Sequence, residues 1–167
     1  MKKLSLFLLC SVVMFMSCEG PQGPPGFDGF DGANGLIGTI FEVEATFAPD
    51  GYEYLVDIPV EIEVFDTDIV MAYVLSGVDN DLDIWEPLPQ TLFFGNEILL
   101  YGYDHTLADV RFFLDGTIDL NSLEALYTDN IVFRVAVIPA AFAESIDVLN
   151  INEVMDAMQL KSVKRIK

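Results

Sequence analysis

From residue 39 onward the chain alternates. Phe41, Val43, Ala45 and Phe47 fall on one side, and Glu42, Glu44 and Thr46 on the other. A period of two with one apolar side predicts a half-buried strand. Pro49-Asp50-Gly51 then supplies a turn, because proline presets φ and glycine accepts positive φ. Tyr52–Ile58 and Val60–Phe65 predict short strands broken at Pro59, with Ile62 and Val64 alternating with Glu61 and Glu63. Ile69–Ser76 is a continuous apolar run, the pattern of a central strand covered on both faces. Gly77–Asp83 is read as an acidic loop. Trp85 follows, where Pro87 and Pro89 exclude a central strand. Thr91–Phe94, Gly95-Asn96 and Ile98–Tyr103 predict a hairpin. Val110–Leu114 predicts a strand turned by Asp115-Gly116, and Asn121–Tyr127 a helical turn. Ile131–Ile138 is the strongest late strand, stopped by Pro139. Val154, Met155, Met158 and Leu160 stand near helical spacing and predict a short terminal helix over Asn152–Leu160. About eight short strands with turn signals between them predict an all-β head, an antiparallel β-sandwich with a short C-terminal helix. There is no repeated strand–helix alternation to indicate a Rossmann-type sheet.

The first 38 residues follow other patterns. Lys2 and Lys3 precede an uncharged apolar run, Leu4–Met16, of 13 residues. A spanning helix needs roughly 20 apolar residues, so the run predicts an export signal over residues 1–17. The segment Phe15-Met16-Ser17-Cys18 resembles the lipobox of bacterial lipoproteins. The resemblance implies cleavage before Cys18 and acylation of its thiol and new amino terminus. Several acyl chains would anchor the protein stably where one would be marginal. The alternative is ordinary secretion, with Cys18 a spare thiol. In such lipoproteins Asp after the Cys tends to hold the protein in the inner membrane, and Glu19 does not argue for that retention.

Residues 18–38 carry Gly20, Gly23, Gly26, Gly29, Gly32, Gly35 and Gly38, seven Gly-X-Y triplets in strict register. Collagen needs glycine at every third residue because only hydrogen fits at the triple-helix axis. Proline is confined to Pro21, Pro24 and Pro25 within this run. Two readings stand. In one, a homotrimer winds a short triple helix of about 60 Å, at roughly 3 Å rise per residue. In the other, the run is a flexible tether with an r.m.s. span of about 25 Å. The expected organisation is therefore signal 1–17, lipidated stalk 18–38, acidic head 39–160 and basic tail 161–167.

Charge narrows the partners. Between Thr39 and Leu160 only Arg111 and Arg134 stand against 24 acidic residues, a net charge of −22. Such a surface repels phosphate backbones, so nucleic acid is excluded as an expected partner. The four residues Lys161, Lys164, Arg165 and Lys167 are expected to form a solvated terminus. The two cysteines, Cys10 and Cys18, both precede the head, so the head holds neither a disulfide nor a thiol nucleophile.

Candidate chemistry is sparse. His105 is the only histidine, and no nucleophile elbow accompanies it, so no catalytic residue is expected. Asp79, Asp81 and Asp83 alternate like the start of a calcium loop, but Ile84 replaces the turn glycine and Gln90 the bidentate glutamate. The bland reading is a solvated acidic turn. The sharper one is a looser calcium site joined by Glu86 or by Asp66 and Asp68, and calcium is the one cofactor weighed. Arg134 interrupts Val132-Arg-Val-Ala-Val, and a charge in so apolar a strand needs a carboxylate partner or an edge position. Arg111, in Val-Arg-Phe-Phe, is read the same way. Trp85, Tyr101 and Tyr103 are candidates for a sugar- or protein-binding platform, against the alternative of ordinary core packing.

The whole pattern, SCEGPQGPPGFDGFDG followed by WEPLPQTLFF, DVRFFLDG and NIVFRVAVIPAAF, resembles the collagen-like-repeat lipoproteins of Bacteroidetes, especially flavobacteria. The resemblance implies location and architecture and supplies no active site. The expectation is a non-enzymatic outer-membrane lipoprotein, presenting its head for binding, adhesion or a structural role at the cell envelope and facing the periplasm or the cell surface. The alternatives are a calcium-dependent carbohydrate-binding module and the trimerisation cap of a surface fibre. A secreted hydrolase stands behind them. The expected partners are the membrane, through the lipid anchor, a second and third copy, and a protein or glycan ligand.

Overall fold

The structure, a computed structural model, describes residues 38–159 and 163–166. The leader, Cys18 and the Gly-X-Y run up to residue 37 lie outside the described residues. The head is mostly strand. Its elements are β1 (Thr39–Ala45), β2 (Glu53–Asp57), β3 (Ile69–Asp79), β4 (Leu82–Pro87), β5 (Gln90–Phe94), β6 (Glu97–His105), β7 (Asp109–Gly116), β8 (Ile131–Ile138) and β9 (Lys164–Ile166). Two short helices, α1 (Ala140–Ala143) and α2 (Ile151–Ala157), lie between β8 and β9.

Two antiparallel-rich sheets result. One has the order β4-β3-β8-β1-β9 and the other β2-β7-β6-β5. They share a single core. Phe112 on β7 stacks on Phe133 of β8, with centroids 4.2 Å apart and planes 13° from parallel. Phe47 meets the same Phe133 ring edge-on at 6.1 Å. The Phe112–Phe133 stack joins the two sheets face to face, as the alternation in β1 and the expected sandwich require.

The five-stranded sheet is covered on its other face as well. Ile40, Tyr73, Ala136 and Ile138 are buried there against Ile151, Val154 and Met158 of the α2 region. This explains the continuous apolar run Ile69–Ser76. In β3, Val70, Ala72 and Val74 point into the shared core, while Tyr73 points under α2. Both registers must be apolar when both faces are dry. Gly38, the last glycine of the triplet series, also belongs to this layer. A Cβ at Gly38 would overlap the Met158 thioether, so packing inside the head asks for glycine here.

Three stretches depart from expectation. Val60–Phe65 is not a strand. Ile62 N–H donates to the Pro59 carbonyl, and Phe65 and Asp68 close a second turn, so the alternating residues lie on consecutive turns. Ile62 and Val64 still bury one side against the core, which is all that the alternation required. Gly77–Asp83 is not a loop. β3 runs on to Asp79 and β4 begins at Leu82, with only Asn80 and Asp81 between them, at φ +48° and +64°. Asn and Asp tolerate that left-handed backbone, which makes a tight two-residue hairpin turn. Finally, the basic tail does not lie free. Lys164–Ile166 pairs in parallel with β1 as β9, extending the head past residue 160 to at least Ile166.

Candidate functional site

The most chemically dense place lies on the α2 side of the five-stranded sheet. Strand register aligns Pro87, Tyr73, Arg134, Glu42 and Arg165 across β4, β3, β8, β1 and β9. Arg134 meets the carboxylate its position demanded. Its Nη2 lies 2.8 Å from Glu42 Oε1, and Arg165 reaches the other oxygen of Glu42 at 3.3 Å. The Arg134 guanidinium sits 4.0 Å from the centroid of the Trp85 ring, and its Nη1 lies 3.7 Å from the Met155 sulfur. Asp83 Oδ2 is 3.9 Å away. The planar cation is thus held in plane by Glu42 and stacked on Trp85, so it orients the indole as well as neutralising a partly buried acid.

Beside Trp85 opens a cleft of about 390 Å³. One wall is the edge strand β4, with Asp83 and Trp85. The other is the segment leading into α2, with Asp147, Leu149, Asn150 and Asn152. That segment is held by its own polar bonds. Asp147 Oδ1 accepts from Leu149 N–H, Asn150 Oδ1 accepts from Asn152 N–H, and Glu153 reaches back to Asp147 N–H. The Tyr73 hydroxyl donates to the Val148 carbonyl and ties the segment to the sheet. Burial raises the Tyr73 pKa, with the Tyr103 hydroxyl and Asp147 adding to the rise, so this hydroxyl stays a donor at neutral pH. The Trp85 Nε1 is buried and has no hydrogen-bond partner among the described residues.

Sequence reasoning singled out Trp85 but missed its surroundings. The Asp147–Asn152 wall gave one readable signal, Asn150 three residues before Glu153 at a helix start. Its apposition to β4 is a matter of tertiary packing.

The other candidates are dispersed. Tyr101 and Tyr103 do not join Trp85 in a platform. They sit on β6 with side chains inside the core between the sheets, Tyr101 donating to the Tyr127 carbonyl at 2.8 Å and Tyr103 to the Val70 carbonyl at 3.1 Å. Burial pushes the Tyr101 hydroxyl up to about 12, and burial raises Tyr103 in the same direction. Tyr101 also lines a second hollow of about 170 Å³, bordered by Leu92, Tyr127 and the exposed Leu126. Asp79 and Asp81 flank Asn80 at the tip of the β3–β4 hairpin, where Asp79 accepts from the Asn80 amide, and Asp83 turns toward Arg134 instead. No three His, Cys, Asp or Glu side chains converge to hold a metal among the described residues. His105 is exposed at the end of β6, its Nδ1 3.2 Å from the Thr106 carbonyl oxygen, while Asp109 accepts from the Thr106 hydroxyl.

The outer face of the four-stranded sheet carries a different surface. Phe93 is 78% exposed and Leu55 63% exposed, with Phe113 half-buried between them in the sheet order. Arg111 bridges Asp104 and Glu53 on this face and lies 5.7 Å from the Phe113 ring centroid. The Arg111 guanidinium holds the Asp104 carboxyl below the usual carboxylate range.

The chain matches no family model, and no curated protein or solved structure is significantly similar to it.

Proposed function

We propose that the protein is a non-enzymatic lipoprotein of the bacterial outer membrane whose all-β sandwich head is held off the membrane by a collagen-like stalk and serves as a binding module. One observation carries the reading. The export-type leader, Cys18 and the Gly-X-Y series run without a break to Gly38, and β1 begins at the next residue. That order leaves the head as the part presented for contact. The polar groups inside the head support a binding role over catalysis. Arg134, Glu42, Tyr73, Tyr101 and Tyr103 are engaged with one another or with backbone carbonyls, and none forms a nucleophile–base pair. The register of the glycines also favours a second reading, in which three heads cap a short triple helix.

The test is metabolic labelling with radioactive palmitate in a bacterial host. The full chain is expected to take up label and to pellet with the outer membrane, and Cys18→Ser to lose both. Release of the unlabelled wild-type chain, or membrane pelleting that survives Cys18→Ser, would refute the anchor.

A further inference from the structure

We infer that the cleft between β4 and the Asp147–Asn152 segment is a binding site for a neutral sugar, with Trp85 in its lining. The inference deepens the binding-module reading and rests on it.

Three features select this chemistry. The first is the mixture of polar groups. The cleft is lined by the Asp83 and Asp147 carboxylates and by the side-chain amides of Asn152 and of Asn150, the latter already accepting from Asn152 N–H and donating to Glu153. A ligand that both donates and accepts at closely spaced positions satisfies such a wall, and a polyhydroxylated ring does so. The second is the Trp85 ring, which lines the cleft beside these polar groups. An aromatic ring beside hydrogen-bonding groups gives a sugar ring both an apolar and a polar surface to meet. The third is charge. Asp83 faces the Arg134 guanidinium, which offsets its charge, and Asp147 Oδ1 accepts from the Leu149 N–H. The strongly acidic head repels uronates and other anionic sugars. Leu149 and Ile84, 57% and 44% exposed at the cleft, supply apolar surface for the C–H face of a ring. The volume lies within the span of about 300–1,000 Å³ typical of small-ligand sites.

Arg134 stacks on the Trp85 indole and is itself clamped by Glu42, so this part of the lining is organised before any ligand arrives.

Trp85 is the only tryptophan in the chain, so its emission reports the site directly. The experiment titrates the full chain in detergent with cellohexaose, laminarihexaose, xylohexaose, mannohexaose and chitohexaose. Hexalysine and a hexagalacturonate serve as charged comparators. The expected result is a saturable emission change with at least one neutral hexasaccharide and none with either comparator. Asn152→Ala and Leu149→Ala, both at exposed positions, are expected to weaken the Kd by about tenfold each, with unchanged melting temperatures. Three outcomes would overturn the inference: no response to any neutral sugar, an equal response in both variants, or a response to hexalysine alone. Sugar binding by a chain that fails the palmitate test supports the site and removes only the anchor. Correct anchoring without any sugar response removes only the site.

Discussion

Arg134→Met tests the clamp behind Trp85. The substitution keeps an unbranched stem and removes a guanidinium whose side chain is 15% exposed, beside a Glu42 side chain that is 13% exposed. At 2.8 Å and an effective dielectric constant near 20, the two charges attract by about 6 kcal/mol. Taking both from water costs several kcal/mol per ion, so the intact pair contributes little net stability. Removing one partner is different, because the desolvation of Glu42 stays while the attraction goes. Such changes cost about 3–5 kcal/mol where nothing compensates. Arg165 compensates in part, but its side chain is 51% exposed and its pull is screened. The lost stacking on Trp85 adds about 1 kcal/mol. The expected cost of Arg134→Met is therefore about 2–4 kcal/mol, and that of Glu42→Gln about 2 kcal/mol, since Asp83 remains 3.9 Å from the stranded cation. The double variant is expected to lose less than the sum, with a coupling of about 2 kcal/mol. Urea denaturation read by far-ultraviolet circular dichroism measures all three, and Trp85 emission gives a second probe at the site itself. A coupling below about 0.5 kcal/mol, or an Arg134→Met variant as stable as the parent, would refute the account of a largely desolvated, mutually dependent pair.

Two further predictions follow from the core and the turns. Gly116 has φ +150°, and a Cβ there would overlap the Ile98 carbonyl oxygen, which accepts from Thr117 and Ile118. Gly116→Ala is expected to cost about 2–3 kcal/mol. Gly95→Ala, at φ +67° with open space around it, is expected to cost about 1 kcal/mol. Equal melting-temperature losses would show that backbone strain alone, without the collision, accounts for Gly116. The buried tyrosines predict alkaline sensitivity. Tyr101 ionises near 12 in the folded state and near its ordinary value of 10.0 when unfolded, so its contribution is intact below pH 10. It declines as pH rises from 10 toward 12, by up to about 1.4 kcal/mol per pH unit. Tyr73 and Tyr103 push in the same direction. Urea midpoints that stay flat from pH 9 to pH 11.5 would contradict the burial of these hydroxyls.

The strand pattern was largely legible in the linear chain. Alternation in Phe41–Phe47 and the uninterrupted run Ile69–Ser76 reported how many faces of each strand are dry, because a side chain's burial depends on parity along the strand. Arg134 likewise announced its need for a carboxylate, since an unpaired charge in that run would be too costly. The sequence by itself did not name Glu42, because cross-strand partners lie 92 residues apart and register is set by the sheet. Parity misled at Val60–Phe65, where turns happen to bury the same residues that a strand would. Composition misled at the basic tail, where a free edge of β1 recruits Lys164–Ile166 through backbone bonds that side-chain charge does not report. The aromatic candidates divide for the same reason. Trp85, Tyr101 and Tyr103 look alike in the sequence, but only strand order decides that the tyrosines face the opposing sheet while Trp85 faces α2. The cleft beside Trp85 exists only because the chain returns after β8 and lays Asp147–Asn152 against the β4 edge, a long-range apposition with no local signature.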